Sequence, residues 1–149
     1  MLFVDTWGWL ALRDKKDAGF RAASLVLWEN IEQGNKLCTT DYVLDETITR
    51  VYQKYGGAEG ERILEELLES LESCKVQVER ITVERFDHAL RLRRRYRDKP
   101  DISFTDFTSM VVMRELAITD ILTGDQHFTQ VNLGFRLMPG SIPRTEVGQ

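Results

Sequence analysis

Four carboxylates stand where secondary-structure elements would begin or end: Asp5, Glu46, Asp106 and Asp125. Asp5 closes the apolar run Leu2-Phe3-Val4, Asp106 closes Ser103-Phe104-Thr105-Asp106, and Asp125 closes Leu122-Thr123-Gly124-Asp125. Glu46 lies early in a helical segment behind a second strand-like run. In an open α/β sheet the carboxyl ends of the strands form the crevice where ligands bind. Acids gathered there repel one another until protons or a divalent cation neutralise them. Ligation by oxygen alone suits Mg²⁺ or Mn²⁺. The chemistry this pattern predicts is metal-dependent hydrolysis of a phosphodiester.

Each acid also has a structural reading. Asp5 could cap a following helix, and Thr6 could donate to that carboxylate or be the cap itself. Ser103 with an acid three residues on approximates a capping box. Alternatively Thr105 caps, and Asp106 sits in the first turn, where the helix dipole favours a negative charge. Asp125 suits a turn after Gly124, and His127 could touch a phosphate or act as a structural hydrogen-bonder. Glu46 competes with its neighbour Asp45. Successive helix residues are rotated by about 100°, and measured from the face Leu44–Ile48–Val51–Tyr55, Asp45 falls nearer the core edge. Periodicity alone mildly favours Asp45.

The elements that must position these acids follow from hydrophobic pattern and punctuation. Residues 2–4 read as a buried strand, 6–12 as a first helix, and the segment around Leu25, Val26 and Ile31 as a second helix ending near Gly34. Lys36 to Cys38 is a second strand, followed by capping residues Thr39-Thr40-Asp41 and a helix that Gly56-Gly57 ends. A fourth helix, Glu59 to Ser73, shows a stripe of Leu64, Leu67, Leu68 and Leu71 and pairs with the third as a hairpin. Val76, Val78 and Ile81 mark a third strand, Thr82 to Asp98 a charged helix, and Phe107 to Leu116 a buried helix. Ile121-Leu122 and Phe135 to Leu137 supply the last strands, with a short helical turn between them and Pro139 and Pro143 in a loose tail. Strands separated by helices imply a parallel sheet covered on both faces through right-handed crossovers.

The chain has 149 residues, which suits one domain with a real core, and its 42% apolar and 30% charged residues exclude a disordered protein. A net charge of -4 excludes a generally basic nucleic-acid coat. Phosphate attraction would then need a local basic patch, and one run offers it: Arg85, Arg91, Arg93, Arg94, Arg95, Arg97 and Lys99. Most of these suit a solvated helix face with pairs such as Asp87 and Arg91. Arg97 and Lys99, next to the Asp106 loop, are the substrate-binding candidates. Trp7, Trp9 and Trp28 read as core or interface anchors. Two cysteines without framework spacing imply a reducing compartment. The apolar start contains Asp5 and lacks a basic leading segment, so it makes a poor signal peptide. No apolar run reaches the ~20 residues of a membrane helix. The expected location is the cytoplasm.

The order of the motifs is more specific than any one of them: Phe-Val-Asp-Thr, Val-Leu-Asp-Glu-Thr, Ser-Phe-Thr-Asp, then Leu-Thr-Gly-Asp-Gln-His-Phe with Gly134-Phe135 behind. From Leu2 to Pro139 the chain resembles the PIN-domain proteins, close to the VapC-type toxin ribonucleases and their single-domain prokaryotic relatives. The resemblance implies a three-layer α/β/α fold with a four- to five-stranded parallel sheet, residues 1–149 forming one nuclease domain. It implies that Asp5, Glu46, Asp106 and Asp125 bind Mg²⁺ or Mn²⁺, with Glu46 chosen over Asp45 against the helical face. It implies that Thr6, Ser103 and Thr123 support the carboxylates, and that Asp98 or Asp101 could assist. The activity it implies is endoribonucleolytic, with a metal-activated water attacking phosphorus and a 5′-phosphate left behind. The partners it implies are an RNA substrate, a small antitoxin protein and a second copy of the chain in a homodimer. A haloacid-dehalogenase-like phosphatase would need an acid two residues after Asp5, where Trp7 stands. A non-catalytic PIN-like module that binds RNA or protein is the alternative.

Overall fold

The computed structural model describes residues 1–140; Pro143 and its neighbours lie outside them. Five short strands form one all-parallel sheet in the order β3-β2-β1-β4-β5: β1 (Leu2–Val4), β2 (Leu37–Thr40), β3 (Gln77–Glu79), β4 (Asp120–Leu122) and β5 (Arg136–Met138). Leu2, Phe3, Val4, Leu37, Cys38, Ile121 and Leu122 are buried, as expected of strands covered on both faces. Helices make the outer layers of this α/β/α sandwich: α1 (Thr6–Ala11), α2 (Phe20–Glu32), α3 (Asp41–Tyr55), α4 (Gly57–Ser73), α5 (Val83–Arg95), α6 (Phe104–Glu115) and the single turn α7 (His127–Gln130). The hairpin of α3 with α4 forms as the sequence predicts, and α5 packs on α6. Among the described residues no helix is long and apolar enough to cross a membrane.

Strand order reverses at β1. The chain moves from β1 outward through β2 to β3, then returns to pair β4 on the other side of β1. Such a switch point splays the loops after the two central strands and opens a crevice between them. Val4 is in register with Leu122, so Asp5 and Thr123 are the next residues off each strand. Gly8 lets α1 lie tight against this edge, because a Cβ there would stand 2.9 Å from the Leu122 carbonyl oxygen.

Several faces differ from the sequence expectation. The stripe of α4 runs through Gly60, Ile63 and Leu67, while Leu68 is exposed. Gly60 brings the backbone against the Tyr52 ring, a contact no hydrophobic count registers. Trp9 is buried, Trp7 is half-buried, and Trp28 is exposed together with Leu25, so Trp28 is no core anchor. Helix α6 begins at Phe104, three residues earlier than hydrophobicity alone marks, because Ser103 caps it.

Two residues of the basic run, Arg85 and Arg93, have structural work. Arg85 pairs with Glu79 at 2.8 Å and Glu115 at 2.9 Å. Arg93 donates to the carbonyls of Ile102 at 2.7 Å, Tyr96 at 2.5 Å and Lys99 at 2.8 Å, with its guanidinium 4.6 Å from the centre of the Phe107 ring. It therefore ties down the loop that delivers Asp101 and Ser103. Removing it leaves half-buried carbonyls without a donor, so Arg93→Ala is expected to cost roughly 3 kcal/mol in urea unfolding.

Candidate active site

Asp5 leaves β1 with extended backbone and stands before α1, but its side chain makes no capping bond. Its Oδ2 accepts from the Thr123 hydroxyl at 2.9 Å, while the buried Oδ1 finds no partner among the described residues. Burial pushes this carboxyl up to about 7, helped by the neighbouring charges of Asp106 and Glu46. An orphaned oxygen on a buried acid costs free energy unless a cation or proton satisfies it.

Asp106 occupies the first turn of α6, where the Ser103 hydroxyl accepts from its backbone N–H at 3.0 Å. That geometry selects Ser103 over Thr105 as the cap. The Asp106 side chain is buried, and burial lifts its carboxyl to about 6. The His127 hydrogen bond opposes that rise, and the charges of Asp125 and Glu46 add to it.

Thr123 supports two acids: it donates to Asp5 and accepts from the backbone N–H of Asp125 at 3.1 Å. Asp125 Oδ1 accepts from the His127 backbone N–H at 2.8 Å. Gly124 is required beside Trp7, since a Cβ there would meet the indole Nε1 at 2.6 Å.

Glu46 accepts from the Thr6 hydroxyl at 2.8 Å and from Arg50 at 2.7 Å. The Thr6 hydroxyl therefore serves Glu46 and not Asp5. Asp45 is exposed. The inward face of α3 is Val43–Thr47–Val51, one step from the Leu44 face taken from periodicity, and from that face Glu46 is the acid on the flank.

Asp5, Glu46, Asp106 and Asp125 line one cleft of about 160 Å³. Asp101, Arg50, His127 and Trp7 line it too. Asp98 lies exposed against Lys99 at 3.0 Å, and among the described residues the lining includes Arg50 but neither Arg97 nor Lys99. The signal for Arg50 was present in sequence, one helical turn after Glu46 at the spacing of facing side chains. Arg91 and Arg95 face a separate groove of about 530 Å³ between α5 and α6. The acidic cleft, with its unsatisfied Asp5 oxygen, fits a hard divalent cation. Asp106, Asp125 and His127 each offer an atom to one ion, all within 4.8 Å of one another.

Comparison with known proteins agrees with this geometry. Residues 2–133 match the model of the PIN domain. The crystal structure of Mycobacterium tuberculosis VapC20, a toxin that cleaves the sarcin-ricin loop, superposes with a TM-score of 0.74 at 29% identity, covering 91% of this chain and 97% of that one. Among curated proteins none matches.

Proposed function

The chain belongs to the PIN domain family, and from that premise we propose that it is a metal-dependent endoribonuclease acting as the toxin of a toxin–antitoxin pair. The observation that carries the proposal is that Asp5, whose buried Oδ1 is unpartnered among the described residues, lines one cleft with three further carboxylates. In this reading residues 1–149 work as one nuclease unit, and Asp5, Glu46, Asp106 and Asp125 hold Mg²⁺ or Mn²⁺. A bound divalent cation would neutralise the acids and activate water for in-line attack on phosphorus.

The chain's own residues prepare that chemistry. Thr123 occupies Asp5 Oδ2 and leaves the buried Oδ1 without a partner among the described residues. Thr6 holds Glu46 from the first turn of α1, and Ser103 fixes the start of α6 beneath Asp106. Arg50, on the rim, is a guanidinium within reach of a phosphate oxygen once RNA enters. Arg97 and Lys99, on the loop before Ser103, would meet the strand outside the cleft. Exposed Leu25 and Trp28 on α2 offer apolar surface for a second copy of the chain. The partner expected in the cytoplasm is a small antitoxin protein that covers the acidic cleft.

The test is incubation with single-stranded RNA and with a sarcin-ricin loop oligonucleotide, in Mn²⁺, Mg²⁺ or EDTA. Cleavage that EDTA abolishes and that leaves a 5′-phosphate is the expected result. RNA binding without cleavage under every metal condition would shift the reading to the non-catalytic module.

A further inference from the structure

We propose that His127 is a nitrogen ligand of the cation held by Asp106 and Asp125, and that it biases the cleft toward Mn²⁺ and later first-row ions over Mg²⁺. The proposal rests on the reading of this cleft as the metal centre of a nuclease and adds a donor that an all-carboxylate site lacks.

The imidazole Nδ1 lies 2.9 Å from Asp125 Oδ2 and 3.2 Å from Asp106 Oδ2. Three side chains therefore converge on one small volume, their ligand atoms all within 4.8 Å of one another. Asp5, whose buried Oδ1 has no partner among the described residues, lines the same cleft and points independently to a missing positive ligand there. The ring is held there by its backbone. The His127 N–H donates to Asp125 Oδ1 at 2.8 Å, and the next residue, Phe128, is fully buried with its ring against Phe135.

In the geometry described, Nδ1 lies within hydrogen-bond distance of both carboxylates. As a ligand it presents its lone pair to the ion, with the ring proton on Nε2. Imidazole nitrogen raises affinity along the first-row series, whereas Mg²⁺ prefers oxygen alone. One nitrogen among carboxylates therefore changes which ion is held more than whether an ion is held.

The test is pulsed electron paramagnetic resonance of Mn²⁺ bound to the full chain. The spectrum is expected to show ¹⁴N modulation that changes when the protein is labelled with ¹⁵N-histidine. Only 2 histidines are present, and the other, His88, lines the separate groove between α5 and α6. His127→Gln is expected to abolish the modulation and to lower Mn²⁺ affinity at least about tenfold, with a smaller loss for Mg²⁺ measured by competition. Bound Mn²⁺ without nitrogen modulation in the unaltered protein overturns the proposal while leaving the nuclease reading intact. Failure to bind Mn²⁺ at all overturns both. The labelled spectrum needs no variant, so it decides the matter even where His127→Gln does not fold.

Discussion

Replacing Asp106 by Asn is expected to abolish metal-dependent cleavage of RNA, with a loss of at least about a hundredfold, while leaving the circular dichroism spectrum unchanged. The argument is electrostatic and local. Asp106 is buried at the start of α6, beside Asp125 and Glu46. The amide keeps the shape, and the backbone N–H that donates to Ser103 is untouched, so the helix start survives. What goes is one negative charge from the set that would hold a divalent cation. Asp5→Asn is expected to behave the same way, because the Thr123 hydroxyl can still donate to the amide oxygen. Asp45→Asn is the contrast: it is exposed, away from the cleft, and should retain full activity. Cleavage rates for the three variants against one RNA check the assignment. Undiminished cleavage by Asp106→Asn would falsify its role.

The contrast between Asp45 and Glu46 also shows where sequence reasoning reached its limit. Strand ends, helix hairpin and parallel topology followed from runs of apolar residues and their punctuation, because burial on both faces leaves an unmistakable pattern. The inward face of α3 did not, because one of its three buried positions is Thr47. Its hydroxyl donates to the Val43 carbonyl at 2.7 Å and is thereby hidden from water. A polar residue satisfied by its own helix is silent in a hydrophobic pattern, and the face estimate slid by one position. The order of motifs supplied Glu46 where periodicity could not. Arg50 was passed over for a different reason. A run of arginines attracts notice by composition, yet Arg85 and Arg93 are spent on carboxylates and loop carbonyls. The guanidinium that lines the cleft is a single residue, marked only by its spacing of four from Glu46, which composition does not register. Chain-distant pairings such as Thr123 with Asp5 and Thr6 with Glu46 are set by the register of β1 with β4 and by the packing of α1 on α3, which no local window contains.

The same crowding of acids gives the fold an unusual dependence on pH. In EDTA, stability is expected to fall as pH rises from about 4 to about 7, and Asp5→Asn is expected to flatten that slope. In the unfolded chain Asp5 loses its proton near the ordinary value of 3.8, whereas burial holds the folded carboxyl protonated up to about 7. Between those values the folded state binds more protons than the unfolded one, so raising pH favours unfolding. The contribution is fully present below pH 3.8 and is lost by the time pH passes about 7, a few kcal/mol in all. Asp106, raised to about 6, pulls in the same direction over a narrower window. Acids held below their ordinary values by partners, such as Glu79 beside Gln77 and Arg85, act the opposite way, but only at still lower pH. Thermal melts at pH 5 and pH 8 separate the effects: at pH 8 Asp5→Asn should melt several degrees higher than the unaltered protein, and at pH 5 the gap should narrow. A lower melting temperature for Asp5→Asn at pH 8 would mean that this carboxylate holds the structure together. Added Mn²⁺ should reverse the ranking at pH 8, because it stabilises only the protein that can bind it.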